Sequence, residues 1–161
     1  MSNNVPRAGA SVDEATNQLD AAGGQAIHAL LPAVMEDVGI IAKSQTNAER
    51  NYQFRSLDDV LNAIQPVLVS HGICTSVRCF DHRLQQQRLR DRYGNERAIS
   101  RASLMLELTF WARDGSNIAS IAAGEGQDVD GDKATGKAMA SAMKYAMLFG
   151  LVIPAGPDQR Q

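Results

Sequence analysis

Residues 124–150, GEGQDVDGDKATGKAMASAMKYAMLFG, constrain the fold of this chain more than any other stretch. The run opens on Gly124 and Gly126 with the acids Glu125, Asp128, Asp130 and Asp132. It reads as a flexible acidic loop ending at Asp132, a good N-cap, after which Lys133 opens a long Ala/Met-rich helix. On a helix, Lys133, Lys137, Ser141 and Lys144 fall within about 80° of one another. Ala134, Ala138, Met139, Ala142, Met143, Ala146 and Phe149 take the broad opposite side. Such a helix has a core face of small residues and a narrow cationic stripe, which needs an anionic partner or water.

The 161 residues fit one domain, long enough to bury roughly two thirds of the unfolded surface. No apolar run approaches the ~18 residues of a membrane span, so no membrane role is expected. The first residues lack a basic-then-apolar export pattern. Cys74 and Cys79 would lie on opposite faces of one strand and fit a reducing cytoplasm. A net charge of −2 does not announce a nucleic-acid binder. Its distribution says more, because residues 78–101 carry Arg78, Arg83, Arg88, Arg90, Arg92, Arg97 and Arg101 against Asp81, Asp91 and Glu96.

Along the chain, residues 1–22 are polar and read as disordered. Residues 23–154 read as the folded domain and 155–161 as a short tail. Apolar residues at helical spacing mark a helix over 25–43, weakened by Pro32 and Gly39. Residues 44–50 read as a polar connector, followed by a short extended piece at Tyr52 and Phe54. Ser56 and Asp59 form a capping-box variant ahead of a helix that Gly72 closes, with Pro66 predicting a bend. His71 suits the C-terminal end of that helix as a cation.

Residues 73–80 and 98–112 alternate as strands. The arginine-rich segment between them is either a long hairpin arm, turning at Tyr93-Gly94-Asn95, or a mobile loop. Asp114-Gly115 predicts a two-residue hairpin turn, with a third strand over 116–123. The fold class is α+β, an antiparallel β-meander (a β-β-β-α core) with helices packed on one face.

Residues 131–138 nearly spell a phosphate loop, but Ala138 replaces the required hydroxyl, and a helix begun at Asp132 would enclose Gly136 and Lys137. The Asp128-x-Asp130-x-Asp132 run imitates a calcium loop, yet Lys133 and Met139 stand where glycine and a bidentate glutamate belong. Glu125, Asp128 and Asp130 suit at most a weak divalent ion; no cofactor is required. His28, His71 and His82 are scattered, and no catalytic constellation emerges, so the chain does not read as an enzyme. The arginine run reads equally as a solvated arm or as a phosphate-backbone surface with Tyr93 as a stacking face. The adjacent lysine stripe favours the second.

Residues 51–73, NYQFRSLDDVLNAIQPVLVSHGI, and 124–154, above all the run GEGQDVDGDKATGKAMASAMKYA, resemble the signature blocks of the ERF (essential recombination function) family of phage single-strand annealing proteins. The resemblance extends over residues 25–154. It implies the β-β-β-α core of Rad-type and Red-type annealing proteins, assembly into rings or filaments, and single-stranded DNA lying between a β-hairpin and the next helix. It further implies ATP-independent annealing in the bacterial cytoplasm, with a host single-strand-binding protein as a further partner. Lys133, Lys137, Lys144 and Arg55 lie within the matching blocks. Arg78, Arg88, Arg90, Arg92, Arg97, Arg101 and Tyr93 are candidate DNA contacts on charge and stacking alone. Longer family members carry a further C-terminal region, whereas this chain stops seven residues after Pro154.

Two rival functions follow from the same residues. One is a metal- or nucleotide-dependent nucleic-acid enzyme using the 125–137 loop; the other is an oligomeric scaffold with no DNA role.

Overall fold

A computed structural model describes residues 26–48 and 52–156. The segment expected to be disordered, 1–22, lies outside the described residues, as does most of the 155–161 tail and the side chain of Tyr52. In chain order come α1 (Ala26–Val38), β1 (Gln45–Asn47), β2 (Tyr52–Phe54), α2 (Leu57–Ser70), β3 (Cys74–Arg90), β4 (Glu96–Trp111), β5 (Asn117–Val129) and α3 (Ala134–Gly150). Strands β3-β4-β5 form an antiparallel sheet, and β1 pairs with β2 in a small antiparallel ribbon. The expected α+β meander is the observed fold.

Helix α1 is shorter than its apolar pattern predicts. It ends at Val38 because Gly39 takes φ +58° and returns its N–H to the Met35 carbonyl. The segment read as a polar connector instead supplies strand β1, pairing Gln45 with Phe54. The capping box before α2 is complete: the Asp59 N–H donates to the Ser56 hydroxyl at 3.1 Å, and the Ser56 N–H donates to the Asp59 carboxylate at 2.8 Å. Helix α2 continues as helix through Pro66 and closes at Gly72 (φ +67°), with the Ile73 N–H bonded to the Leu68 carbonyl. His71 at its C-cap meets Asp37 at 2.7 Å.

The arm is a hairpin, not a loop. β3 and β4 stay paired from Cys74↔Trp111 to Arg90↔Glu96. The Asp91 carboxylate closes its tip by accepting the Tyr93 and Asn95 N–H groups, and Gly94 takes φ +82°. The next turn has three residues rather than two, since Ala112 and Ser116 are hydrogen-bonded across 113–115. Strand β5 runs to Val129, six residues past its expected end at 123, so the segment read as flexible loop is mostly strand.

Gly124 and Gly126 explain that extension. A Cβ on Gly124 would strike the Ala138 carbonyl and lie 2.7 Å from the Ala142 methyl; one on Gly126 would strike the Ala134 carbonyl. The glycines let α3 lie directly on β5, and the buried stripe Ala134, Ala138, Ala142 and Ala146 matches them with small side chains. The remaining core comes from Ala102, Leu104, Leu106, Leu108 and Phe110 of β4 with Ile27, Val34, Val60, Ile64 and Leu68 of α1 and α2. Met139 and Phe149, expected in this core, are exposed. Toward its C-terminal end α3 buries Met147 and Leu148 instead, leaving Phe149 stacked on Tyr145 at the surface.

Candidate nucleic-acid interface

Strand pairing assigns every arm residue to a face. In β4, Ser100, Ala102 and Leu104 point to the helices, and Arg101, Ser103 and Met105 point to the opposite, open face, which no helix covers among the described residues. A bulge between Phe80 and Arg83, with Asp81 at φ +51°, inserts one extra residue into β3. Before it, Arg78 and Phe80 share the open face; after it, Arg83, Gln85 and Gln87 do. Leu84, Gln86, Arg88 and Arg90 therefore turn to the helix side. His82, within the bulge, contacts the Thr135 hydroxyl at 3.1 Å and so ties the arm to the first turn of α3.

On the helix side, the arm projects past the start of α3 and encloses a groove of about 870 Å³. Gln86, Gln87 and Arg88 of β3, Ala98 and Ser100 of β4, and the turn residues Asp130, Gly131 and Asp132 line it, so that Arg88 faces two acids there. Arg88 and Arg90 flank Glu96 at 3.9 and 3.8 Å. At the tip, Arg92 lies over the Tyr93 ring at 4.8 Å, and Tyr93 is 74% exposed.

The lysines differ from one another. Asp132 does not cap α3: Lys133 is the N-cap residue, without a side-chain cap, its own N–H donates to the Asp128 carboxylate at 2.9 Å, and the helix opens at Ala134. The other Asp128 oxygen takes the Lys137 ammonium at 2.6 Å, which also reaches the Gln127 carbonyl. The Lys137 ammonium, then the Lys133 N–H, hold the Asp128 carboxyl below its usual pKa. The Lys133 ammonium is exposed and makes no ion pair or hydrogen bond among the described residues. Lys144 donates to the Arg55 carbonyl, and Arg55 donates to the carbonyls of Ile41 and Pro154. These two cations bind α3 to the β2–α2 junction, away from the arm.

Of the other candidates, Arg78 pairs with Glu107 at 3.0 Å on the open face. Arg97 pairs with Asp130 at 2.6 Å and with Asp91 at 3.8 Å. Arg97, with the Ala98 N–H, keeps the Asp130 carboxyl below its usual pKa. Glu125 lies on the open face and Asp128 on the helix side, while Asp130 is bonded to Arg97. Among the described residues no three metal-ligating side chains come together. Gly136 and Lys137 lie inside α3, so residues 131–138 do not form the loop a nucleotide phosphate would need.

Sequence reasoning counted Arg83 in the arginine run but left it out of the candidate DNA contacts. With Arg101, Gln85, Ser103, Glu125 and Gln127 it lines a second concavity, about 570 Å³, on the open face. The signal that would have placed it is the bulge, which shifts the alternation by one and is invisible in the residue types.

Among the described residues, no helix is long and apolar enough to cross a membrane. No curated protein matches the chain. The ERF superfamily matches it over residues 27–161, which takes in the small ribbon, the whole meander and α3, and on that match the chain belongs to the ERF superfamily.

Proposed function

We propose that this chain binds single-stranded DNA and anneals complementary strands without ATP, as a homo-oligomeric ring or filament acting in phage recombination. Family membership supports recombination and annealing at the level of the superfamily. The observation that carries the reading to these residues is the helix-side groove along the arginine-bearing arm, bounded by the Asp130–Asp132 turn that leads into Lys133 and α3.

In this reading Lys133, Lys137, Arg88, Arg90 and Arg92 hold backbone phosphates, and Tyr93 offers a stacking face. Arg88 and Arg90 already sit on Glu96, but these exposed ion pairs are worth little and a phosphate can replace the carboxylate at small cost, whereas Lys137 must give up the largely covered Asp128 carboxylate. Arg55 and Lys144 position α3 rather than meet DNA. Annealing then follows from holding extended strands unpaired at high local concentration, which requires no acid–base residue, nucleotide or metal. Partners are single-stranded DNA, further copies of the chain and, in the host cytoplasm, a single-strand-binding protein.

The test is retention of a labelled oligo-dT at low salt with EDTA present. Binding that weakens steeply with salt supports the reading; failure to retain the strand at any salt removes it.

A further inference from the structure

We propose that the open face of the sheet, centred on Arg83 and Arg101, is a second nucleic-acid surface that receives the incoming strand, so that the arm carries one strand on each face. The inference rests on the annealing reading for the helix-side strand and adds a separate site to it.

Three observations converge on this face. First, Arg83 and Arg101 occupy adjacent cross-strand rows, Arg83–Ser103–Glu125 and Gln85–Arg101–Gln127. Two guanidiniums held as diagonal neighbours repel each other, and neither has an ion pair or hydrogen bond among the described residues. Most arm arginines do have a carboxylate: Arg78, Arg88, Arg90 and Arg97. An anion is what this pair lacks.

Second, the pair lines a concavity rather than a bare strand surface, and Gln85 and Gln127 flank Arg101 from both sides. Their amides can both donate and accept, which suits base edges without choosing a sequence. One row beyond Arg83, Phe80 carries the Arg78 guanidinium over its ring at 5.6 Å, giving an aromatic face beside the charge.

Third, among the described residues no helix covers this side: α3 lies on the opposite face of β4 and β5, and Ile121 and Val129 stand half exposed. Glu125 opposes Arg83 across Ser103 and weakens the site for an anion.

The test uses the full chain saturated with donor-labelled oligo-dT, to which acceptor-labelled oligo-dT is added; the two strands cannot pair. Energy transfer reports capture of the second strand, and donor anisotropy reports the first. The wild type is expected to capture the second strand. R83A/R101A is expected to hold the first strand within about twofold while losing about tenfold in second-strand capture. R83K/R101K should restore most of that capture, and E125Q should strengthen it. Unchanged capture by R83A/R101A overturns the proposal. So does a changed oligomeric state with capture intact, which would make the face a contact between copies. A wild type that holds no first strand contradicts the annealing reading, and the second site falls with it.

Discussion

Asp128 binds α3 twice, taking the Lys137 ammonium at 2.6 Å on one oxygen and the Lys133 N–H at 2.9 Å on the other. One carboxylate thus holds the N-cap residue of the helix, fixes it to the end of β5 and neutralises a cation assigned to DNA. Asp128→Asn should therefore move two quantities in opposite directions. Thermal stability should fall, because the bond to the Lys133 N–H and the ion pair to Lys137 weaken, while oligo-dT affinity should rise as Lys137 is released. Parallel losses of both would show that Lys137 does not contact the strand.

The same carboxylate gives the chain an acid-sensitive element. Its folded pKa is depressed below the usual carboxylate range by the Lys137 ammonium and the Lys133 N–H, so its stabilisation is fully present above that range. As pH falls through the depressed folded value, the carboxylate protonates and the stabilisation is lost. The melting-temperature gap between wild type and Asp128→Asn should hold constant down to about pH 4 and close below it. A gap that persists in strong acid would mean that charge plays no part.

Gly124 and Gly126 should tolerate no side chain. Alanine at either places a Cβ against the backbone of α3, and such overpacking costs about 1–3 kcal/mol. Gly136 is the control, since nothing lies within 4 Å of its added Cβ and it sits within α3. Gly136→Ala should stabilise by about 0.5–1 kcal/mol through helix propensity. Urea unfolding of the three variants measures both signs.

What the sequence shows and what it hides follow the range of the interactions. The capping box at Ser56 and Asp59, the Gly72 closure and the alternation of β4 are local patterns, and all three were legible. The face of each β3 arginine was not, because one inserted residue at the Phe80/Arg83 bulge reverses everything after it. Nor was the role of Gly124 and Gly126: two glycines among acids read as a loop, whereas they are strand positions cleared for a helix. Met139 and Phe149 share a helical face with buried alanines, yet the surface that α3 buries changes along its length.

Ser56→Ala removes the acceptor for the Asp59 N–H and should cost about 1 kcal/mol. Ser56→Thr should cost far less, because the hydroxyl is retained. Equal losses in the two variants, measured in urea, would exclude a capping role.

Salt dependence should resolve the cations of the groove. Lys133→Ala should lower the log–log salt slope of oligo-dT binding by about 0.7, the share of one phosphate. Glu96→Gln releases Arg88 and Arg90 from their shared carboxylate and should tighten binding. A slope unmoved by Lys133→Ala would take the start of α3 out of the interface.

The most direct measurement of the central claim is the annealing rate of two complementary fluorescent oligonucleotides, with EDTA present and no nucleotide. Acceleration that depends on the protein and weakens as salt rises is the predicted result. An annealing rate equal to that of the oligonucleotides alone, with neither strand retained at low salt, would contradict the account.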